Sequence, residues 1–438
     1  MRSCVWHPYT QMSEWPSYDV IVKGRGMWLQ NSKGDRLLDG VASMWCNVWG
    51  HSRKELVKSL TSQARRLQHS SLFNLTNDRA EELAAKLVSL APNMYRVFYS
   101  DDGSTAMEVS AKIALQYWYN IGQKKKTKFV TLKGGYHGDT VGAMSLGYVP
   151  LFFSKYRSVL FSTVQLPSPE RYRIPKGFSH DEYHEHCLEK IENTLKQNDN
   201  IAALVMESGA QIAGGVTIYP PGFQKRVSTL CKMHDVLLIL DEIATGLGRL
   251  GSMIEYQSQQ SRPDIVSFGK MLTAGYLPLA ATLASKRVYD SFLGRHDEMR
   301  HFFHGHTFTG NPLACATALT NLSLYKRHNI ISKVKGSALQ LQKRVDEIYK
   351  IDMVGDIRHR GMLMGIELVS NKEKKTPIHP SKNMQKRIFN EAKRHNIYLR
   401  TLGNIVMLVP PLAIRSEELD FLVDGTIKTM KNVAERLV

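Results

Sequence analysis

The stretch Ile265-Val266-Ser267-Phe268-Gly269-Lys270 is a short apolar run that ends in a glycine and a lysine, and a similar run, Val236 to Leu240, ends in Asp241. Runs of this length and composition predict buried strands. Longer segments with apolar residues at helical spacing separate these runs from three further candidate strands: Arg96–Ser100, Lys128–Leu132 and Ile201–Met206. This alternation predicts an α/β fold whose mostly parallel sheet is covered by helices.

Residues suited to binding a cofactor follow each candidate strand. Ligands in open α/β sheets bind beyond the carboxyl ends of the strands. In chain order, the residues at those ends are Gly103 and Ser104, Tyr136, Glu207, Asp241, and Lys270. Each alone has an ordinary explanation as a turn, a cap or a solvated side chain. Together they supply a helix N-terminus for a phosphate, an aromatic ring, a carboxylate and a lysine, and this set predicts a pyridoxal-phosphate site.

The length of 438 residues, 43% of them hydrophobic, predicts a large domain and a smaller one. We expect an N-terminal segment, 1–50, of short strands and loops that packs with the small domain. Residues 51–312 are expected to form the large cofactor-binding domain, in which Thr105 to about Trp118 is the best-marked helix. Residues 313–438 are expected to form a small α+β domain with long amphipathic helices, a strand-like Gly361–Leu368 and a final helix.

The formal net charge of +18 raises the question of a nucleic-acid partner. Apart from 124–126 and 372–375, the basic residues are dispersed, and neither run is interleaved with aromatic residues, so we expect a solvated surface and no nucleic acid. The sequence has no apolar run long enough for a bilayer and no signal-peptide core, which predicts a cytoplasmic enzyme without a membrane partner. Five scattered cysteines without CxxC spacing indicate reduced thiols.

Two other patterns compete with the cofactor interpretation. Residues 246–251 match the dinucleotide-binding pattern GxGxxG, but five residues separate them from the preceding strand and no convincing helix follows. The histidine groups at 180, 184 and 186 and at 301, 304 and 306 lack a recognised zinc spacing, so no metal is expected. A non-catalytic basic binding protein stays open as an alternative from another class.

Several stretches in the same order resemble the class III aminotransferases of the type I pyridoxal-phosphate fold over nearly the whole chain. The resemblance implies that Lys270 forms the imine with the cofactor, that Asp241 pairs with the pyridine nitrogen and that Tyr136 stacks on the ring. It also implies that Gly103 and Ser104 hold the phosphate, that Glu207 lies beside the cofactor, and that Thr307 reaches the phosphate in a neighbouring subunit of a homodimer. The matching stretches are Asp39-Gly40, Asp102-Gly103-Ser104, Tyr136 to Thr140, Asp241 to Gly246 with Gly248-Arg249, Gly269-Lys270, and Thr307 to Pro312.

Within this family, Trp6 to Met12 and Ala114 to Trp118 are similar to the branch that aminates 8-amino-7-oxononanoate in biotin biosynthesis. That likeness leaves lysine and S-adenosylmethionine open as amino donors; Met44, His306 and Met407 depart from the adenosylmethionine-using members and favour lysine. Another ω-aminotransferase, acting on a diamine, ornithine or 4-aminobutyrate, is the alternative. The substrate contacts implied by the likeness are Tyr9, Met44, Trp45, Tyr136, Arg249, Gly305 and Arg400, of which Arg400 suits a carboxylate.

Overall fold

A computed structural model describes residues 3–15 and 17–437. Its strands are β1 (Ile21–Arg25), β2 (Trp28–Asn31), β3 (Arg36–Asp39), β4 (Met94–Ser100), β5 (Lys128–Leu132), β6 (Val164–Leu166), β7 (Ile201–Glu207), β8 (Ala210–Gln211), β9 (Thr217–Ile218), β10 (Leu237–Asp241), β11 (Ile265–Phe268), β12 (Ala280–Ser285), β13 (Val354–Arg360), β14 (Leu363–Asn371), β15 (Thr376–Pro377), β16 (Ile397–Tyr398), β17 (Arg400–Leu402) and β18 (Ile405–Leu408).

The α-helices are α1 (Ala42–Trp45), α2 (Lys54–Arg66), α3 (Asp78–Leu90), α4 (Gly103–Asn120), α5 (Val141–Leu146), α6 (Pro150–Phe153), α7 (His180–Gln197), α8 (Phe223–Met233), α9 (Glu255–Ser258), α10 (Lys286–Asp290), α11 (Pro312–Arg327), α12 (Ile330–Lys343), α13 (Val345–Tyr349), α14 (Met384–Arg394) and α15 (Ser416–Glu435). Short 3-10 helices lie at Met12–Glu14, Ser154–Val159, Lys270–Thr273, His296–Glu298 and Pro380–Lys382.

The central sheet has the strand order β4-β12-β11-β10-β7-β5-β6. Strand β12 runs antiparallel to both of its neighbours, whereas the pairs from β11 to β6 are parallel. Every residue of β7 and β10 is buried, as expected for central strands that helices cover on both faces. The five predicted strands and the α/β class are confirmed. Strands β6 and β12 complete this sheet but were not predicted.

Helix α4 begins where its sequence supplies a cap. The Asp102 carboxylate accepts a hydrogen bond from Thr105 N at 3.0 Å, and the Thr105 hydroxyl accepts one from Asp102 N at 3.2 Å. Such a reciprocal cap satisfies N–H groups that lack partners within the helix. Met107, Ala114 and Trp118 are buried on the face towards the sheet. The predicted helix is therefore confirmed, and it extends by two residues at each end.

Three smaller sheets lie outside the central one in the described residues, and the smallest of them is the β8-β9 pair. The first has the order β1-β2-β3-β16, in which the parallel pair of β3 and β16 joins the N-terminal hairpin to residues 397–398. The second contains β13, β14, β18 and β17, with β15 against β14. The predicted strand at 361–368 corresponds to β14, which begins at Leu363, and the expected final helix is α15. The pairing of β3 with β16 brings the N-terminal hairpin and the C-terminal part of the chain to the same region.

Several other expectations from the sequence concern features outside the sheets. Within 3–15 and 17–437, no helix has the length and apolarity needed to cross a membrane. Residues 246–251 form turns, and the helix that follows them, α9, has four residues. In the same described ranges, no group of three or more histidine, cysteine, aspartate or glutamate side chains is arranged to hold a metal ion. The three histidines of the first group lie in α7.

Candidate active site

A cavity of about 470 Å³ lies at the carboxyl ends of the central strands. Glu207 and Asp241 are the last residues of β7 and β10, and one residue, Gly269, separates Lys270 from the end of β11. The cavity contains Lys270, Asp241, Glu207, Tyr136, Gly103, Ser104 and Trp45 among its lining residues. These predicted residues therefore meet in one place.

Lys270 is half-buried and carries its amine into this cavity. Its Nζ lies 5.6 Å from the centroid of the Trp45 ring. Burial lowers the pKa of Lys270, and the nearby carboxylates of Asp241 and Glu207 oppose that shift. A lysine with a lowered pKa is uncharged more of the time near neutral pH, and the uncharged amine is the nucleophilic form.

Asp241 is held rigidly by two contacts. Its Oδ2 lies 2.8 Å from His137 Nδ1, and its Oδ1 accepts a hydrogen bond from Ile243 N at 2.9 Å. Asp241 and His137 are both buried. Because the carboxylate is fixed on both sides, it can present a defined acceptor to a protonated ring nitrogen. His137 was quoted from the sequence only as the neighbour of Tyr136, and its position after that residue was the available signal.

Glu207 lies directly beside Asp241 in the parallel register of β7 and β10. Its carboxyl group accepts backbone hydrogen bonds from Ile212 N at 3.0 Å and Tyr136 N at 3.3 Å. Burial, reinforced by the charge of Asp241, raises the pKa of Glu207 to about 8. Glu207 is therefore mostly protonated at pH 7, which avoids placing two adjacent carboxylates in one buried site.

A cradle for a phosphate lies at the N-terminus of α4. Gly103 and Ser104 are the first residues of this helix, so their N–H groups have no acceptor within it. Gly138, with φ of 127°, passes so close that an added Cβ would lie 2.1 Å from Ser104 Oγ. The absence of a side chain at Gly138 keeps this cradle open, and the helix dipole favours an anion there.

The mouth of the cavity contains two tyrosines. The Tyr136 ring lies parallel to Phe153, with ring centroids 5.9 Å apart, and its hydroxyl is 3.4 Å from that of Tyr9. The Tyr9 hydroxyl donates to the Asp139 carboxylate. Burial, together with that hydrogen bond, raises the pKa of Tyr9 to about 12, so its phenol remains protonated. Asp139 was not predicted as a site residue, although it lies three positions after Tyr136.

Arg400 and Met44 flank this mouth. The Arg400 guanidinium lies 5.5 Å from the centroid of the Tyr9 ring and contacts the Met44 sulfur. No carboxylate in the described part of the chain forms an ion pair with Arg400. Met44 is exposed, whereas the adjacent Trp45 is buried against the cavity. The structure thus places the predicted substrate residues at 9, 44, 45, 136 and 400 in one region.

Three predicted residues lie elsewhere. Gly305 and Thr307 are exposed and line a separate cavity of about 670 Å³. Arg249 is fully buried and does not line the Lys270 cavity; its Nη1 donates to Met362 O at 2.9 Å and to Pro410 O at 2.8 Å. The guanidinium of Arg249 binds backbone carbonyl groups from the C-terminal part of the chain, and its substrate contact stays a prediction.

The residues of the Lys270 cavity fit pyridoxal phosphate. The helix N-terminus suits the phosphate, the Tyr136 ring suits a planar heterocycle, and the carboxylate of Asp241 suits a protonated pyridine nitrogen. The amine of Lys270 suits the aldehyde. These four parts of the cofactor each have a partner of matching chemistry.

Comparisons with known proteins agree with this geometry. The family described as aminotransferase class-III matches residues 10–430. The adenosylmethionine-8-amino-7-oxononanoate aminotransferase of Geobacter sulfurreducens is 45% identical, covering 99% of this chain and 96% of its own. The Staphylococcus aureus protein of that name is 40% identical, with 99% and 96% coverage.

Solved structures are also similar to this chain over nearly its full length. The Methanocaldococcus jannaschii protein of that name has a TM-score of 0.92 at 38% identity, covering 98% of this chain and 97% of its own. An amine transaminase from an uncultivated Pseudomonas species, in its PLP-bound form, has a TM-score of 0.92 at 31% identity, covering 99% of each chain. Likeness over nearly the full length, together with a cavity that fits the cofactor, shows that this chain belongs to the class III aminotransferases, enzymes of the type I fold that depend on pyridoxal phosphate.

Proposed function

We propose that this chain converts 8-amino-7-oxononanoate to 7,8-diaminononanoate in biotin biosynthesis, with lysine or S-adenosylmethionine as amino donor. The observation that carries this proposal is the 45% identity, over 99% of the chain, to a relative whose name states this substrate. All five cysteines are free thiols, which suits the reducing cytoplasm, and we place the enzyme there.

The side of the cavity formed by Tyr9, Met44, Trp45 and Arg400, here called the substrate wall, supports this proposal by its chemistry. Arg400 supplies a cation without an ionic partner among the described residues, and Tyr9, Trp45 and Met44 supply a largely apolar surface beside it. A keto acid with a long aliphatic chain needs both features, because its carboxylate binds a guanidinium and its methylene groups leave water for the apolar surface. We assign the substrate carboxylate to Arg400 and the reacting carbon to the neighbourhood of Lys270.

Lys270 is the proposed proton carrier. When bound, pyridoxal phosphate supplies an electron-accepting ring that stabilises negative charge on the substrate carbon. Lys270 Nζ removes the proton from the amino-bearing carbon of the donor and, in the second half of the reaction, delivers a proton to C7 of the keto acid. The lowered pKa of Lys270 suits both tasks. Since both substrates use the same cavity in turn, the kinetics are ping-pong.

The other predicted residues would hold and orient the cofactor. Asp241, fixed by His137, keeps a ring nitrogen protonated, while Glu207 stays neutral beside it. Gly103 and Ser104 bind the phosphate through the start of α4. Tyr136 would stack on the ring, and its hydroxyl orients Tyr9 at the mouth.

We further propose a homodimer in which Thr307 serves the neighbouring subunit. The position of Thr307 in a separate, open cavity supports this arrangement. Co-expression of a Lys270→Ala chain with a Thr307→Ala chain tests it, because a mixed dimer would contain one site with both residues intact. Random pairing would restore about a quarter of the wild-type activity. Activity no higher than that of the separate variants would contradict the shared site.

The substrate assignment is tested with purified protein and pyridoxal phosphate. We expect mass spectrometry to detect 7,8-diaminononanoate when 8-amino-7-oxononanoate is offered with either lysine or S-adenosylmethionine alone. Parallel reactions with ornithine, 4-aminobutyrate and a diamine, each with a simple keto acid, test the ω-aminotransferase alternative. Turnover only in that second set would refute the biotin assignment while leaving the aminotransferase chemistry intact.

A further inference from the structure

The cavity wall that carries Met44 and Trp45 has an unfavourable backbone conformation. Ala42, Ser43 and Trp45 all have positive φ angles, of 48°, 59° and 63°. Residues other than glycine are disfavoured in this region because their Cβ approaches the carbonyl oxygen that follows. A run of three such residues in four positions persists only when surrounding contacts stabilise it.

Asp39 supplies those contacts. Its carboxylate is fully buried and accepts hydrogen bonds from Ser43 N at 2.8 Å and from the Ser43 hydroxyl at 2.9 Å. It also accepts one from Val41 N at 3.3 Å, and His51 Nε2 lies 3.2 Å away. The carboxylate therefore binds the backbone on both sides of Ala42, the first of the three residues with positive φ.

The backbone at Asp39 also contacts the segment that carries Arg400. Asp39 pairs with Tyr398 where β3 and β16 run parallel, and the next residue, Gly40, donates its N–H to Tyr398 O at 3.0 Å. A Cβ at Gly40 would lie 2.8 Å from that oxygen, so this close approach requires glycine. One short segment thus fixes both the turn that holds Met44 and the strand that leads to Arg400.

The two elements meet at the substrate wall. Trp45 lies beside Lys270, and the Met44 sulfur contacts the Arg400 guanidinium. If residues 41–45 relaxed to ordinary backbone angles, both side chains would move relative to Arg400 and Lys270. The distance between Arg400, which binds the substrate carboxylate, and Lys270, beside which the substrate reacts, would then no longer be fixed.

We propose that Asp39 is a positioning residue that sets the shape of the substrate wall by holding residues 41–45 in a backbone conformation with positive φ at Ala42, Ser43 and Trp45. This inference rests on the function proposed above. Asp39 does not line the cavity and acts through Met44 and Trp45. Its removal should therefore weaken the binding of the keto acid more than it alters the chemistry at Lys270.

The test uses Asp39→Asn in the full-length holoenzyme, since asparagine keeps the shape but presents one acceptor oxygen instead of two. We expect KM for 8-amino-7-oxononanoate to rise at least about tenfold, with kcat and the affinity for pyridoxal phosphate within about threefold of wild type. Amide hydrogen exchange in 41–45 should accelerate in the cofactor-free protein as well. Asp35→Asn is the matched control, because Asp35 is exposed and precedes the same strand.

A second substitution separates positioning from a general effect on folding. Glycine adopts positive φ readily, so adding Ser43→Gly to Asp39→Asn should lower KM again towards the wild-type value. If Asp39→Asn does not fold, Ser43→Ala, which removes one hydrogen bond to Asp39, should still raise KM about threefold.

An unchanged KM in Asp39→Asn would overturn the inference, as would an equal loss of kcat and of cofactor binding without rescue by Ser43→Gly. If the variant does not fold, an unchanged KM in Ser43→Ala would overturn it. Absence of product from the wild-type enzyme would instead refute the proposed function, so the two failures are distinguishable.

Discussion

Replacing Glu207 by glutamine should remove a pH-dependent loss of stability. Burial and the adjacent Asp241 raise the pKa of Glu207 to about 8, against an ordinary value of 4.5. Because the folded state binds this proton more tightly than the unfolded chain, the stabilisation is complete below pH 4.5 and is lost as the pH rises through 8. Glutamine resembles the protonated carboxyl group at every pH and has no such dependence.

The expected size follows from these values. One pH unit between the two pKa values changes the free energy of unfolding by about 1.4 kcal/mol, so a rise from pH 6 to pH 8 costs the wild type roughly 2 kcal/mol at Glu207. Unfolding entropy of about 2.1 cal/mol/K per residue gives roughly 0.9 kcal/mol/K for a chain of this length. The Tm of wild type should therefore fall by about 2 °C relative to Glu207→Gln over this interval.

Thermal unfolding of the cofactor-free proteins at pH 6, 7 and 8 measures this difference. Glu242→Gln is a suitable control, because burial raises the pKa of Glu242 to about 8 as well, yet its carboxylate accepts hydrogen bonds from Glu255 N and Tyr256 N outside the cavity. Both variants should show the flatter dependence of Tm on pH, but only Glu207→Gln should alter the pH dependence of cofactor binding. Parallel Tm curves for wild type and Glu207→Gln would refute the reasoning.

Three further substitutions have defined outcomes. Lys270→Ala should abolish the borohydride-sensitive visible absorbance of the holoenzyme and lower single-turnover rates by at least about 10³-fold, since it removes the proton carrier. Gly138→Ala should weaken pyridoxal-phosphate binding at least about tenfold in a fluorescence titration, because its Cβ would overlap Ser104. Gly122→Ala, which also lies at a positive φ (84°) but in open space, should not. Arg400→Gln should raise KM for the keto acid about 10- to 100-fold in steady-state assays, the loss of one charge-assisted contact, and an unchanged KM would exclude a carboxylate contact there.

The sequence predicted the strands whose own composition favours them. The residues of β5, β7, β10 and β11 are mostly β-branched or otherwise apolar, and these strands formed where the pattern placed them. Strand β12 contains three alanines in six residues and forms because β4 and β11 pair with it on both sides. Its formation depends on partners distant in the chain, so a local pattern could not reveal it.

The same distinction applies to the candidate site. Glu207, Asp241 and Lys270 could be grouped in advance because parallel strands end at a common edge. The environment of Arg249 could not be predicted in this way, because its partners are the carbonyl groups of Met362 and Pro410, more than a hundred residues away. Asp39 was quoted as part of a motif, but its contact with Ser43 depends on positive φ angles that sequence patterns do not specify.

The cofactor residues and the substrate wall come from different parts of the fold, and this division bears on how substrates change within the family. Asp241 ends a strand of the central sheet and Lys270 follows another, whereas Met44 and Arg400 lie on segments joined through the pairing of β3 with β16. Substitutions in that second region can reshape the wall without disturbing the strand ends. If the proposed function holds, a change of substrate can therefore arise in the turn at 41–45 and around Arg400 without a change in the position of Lys270.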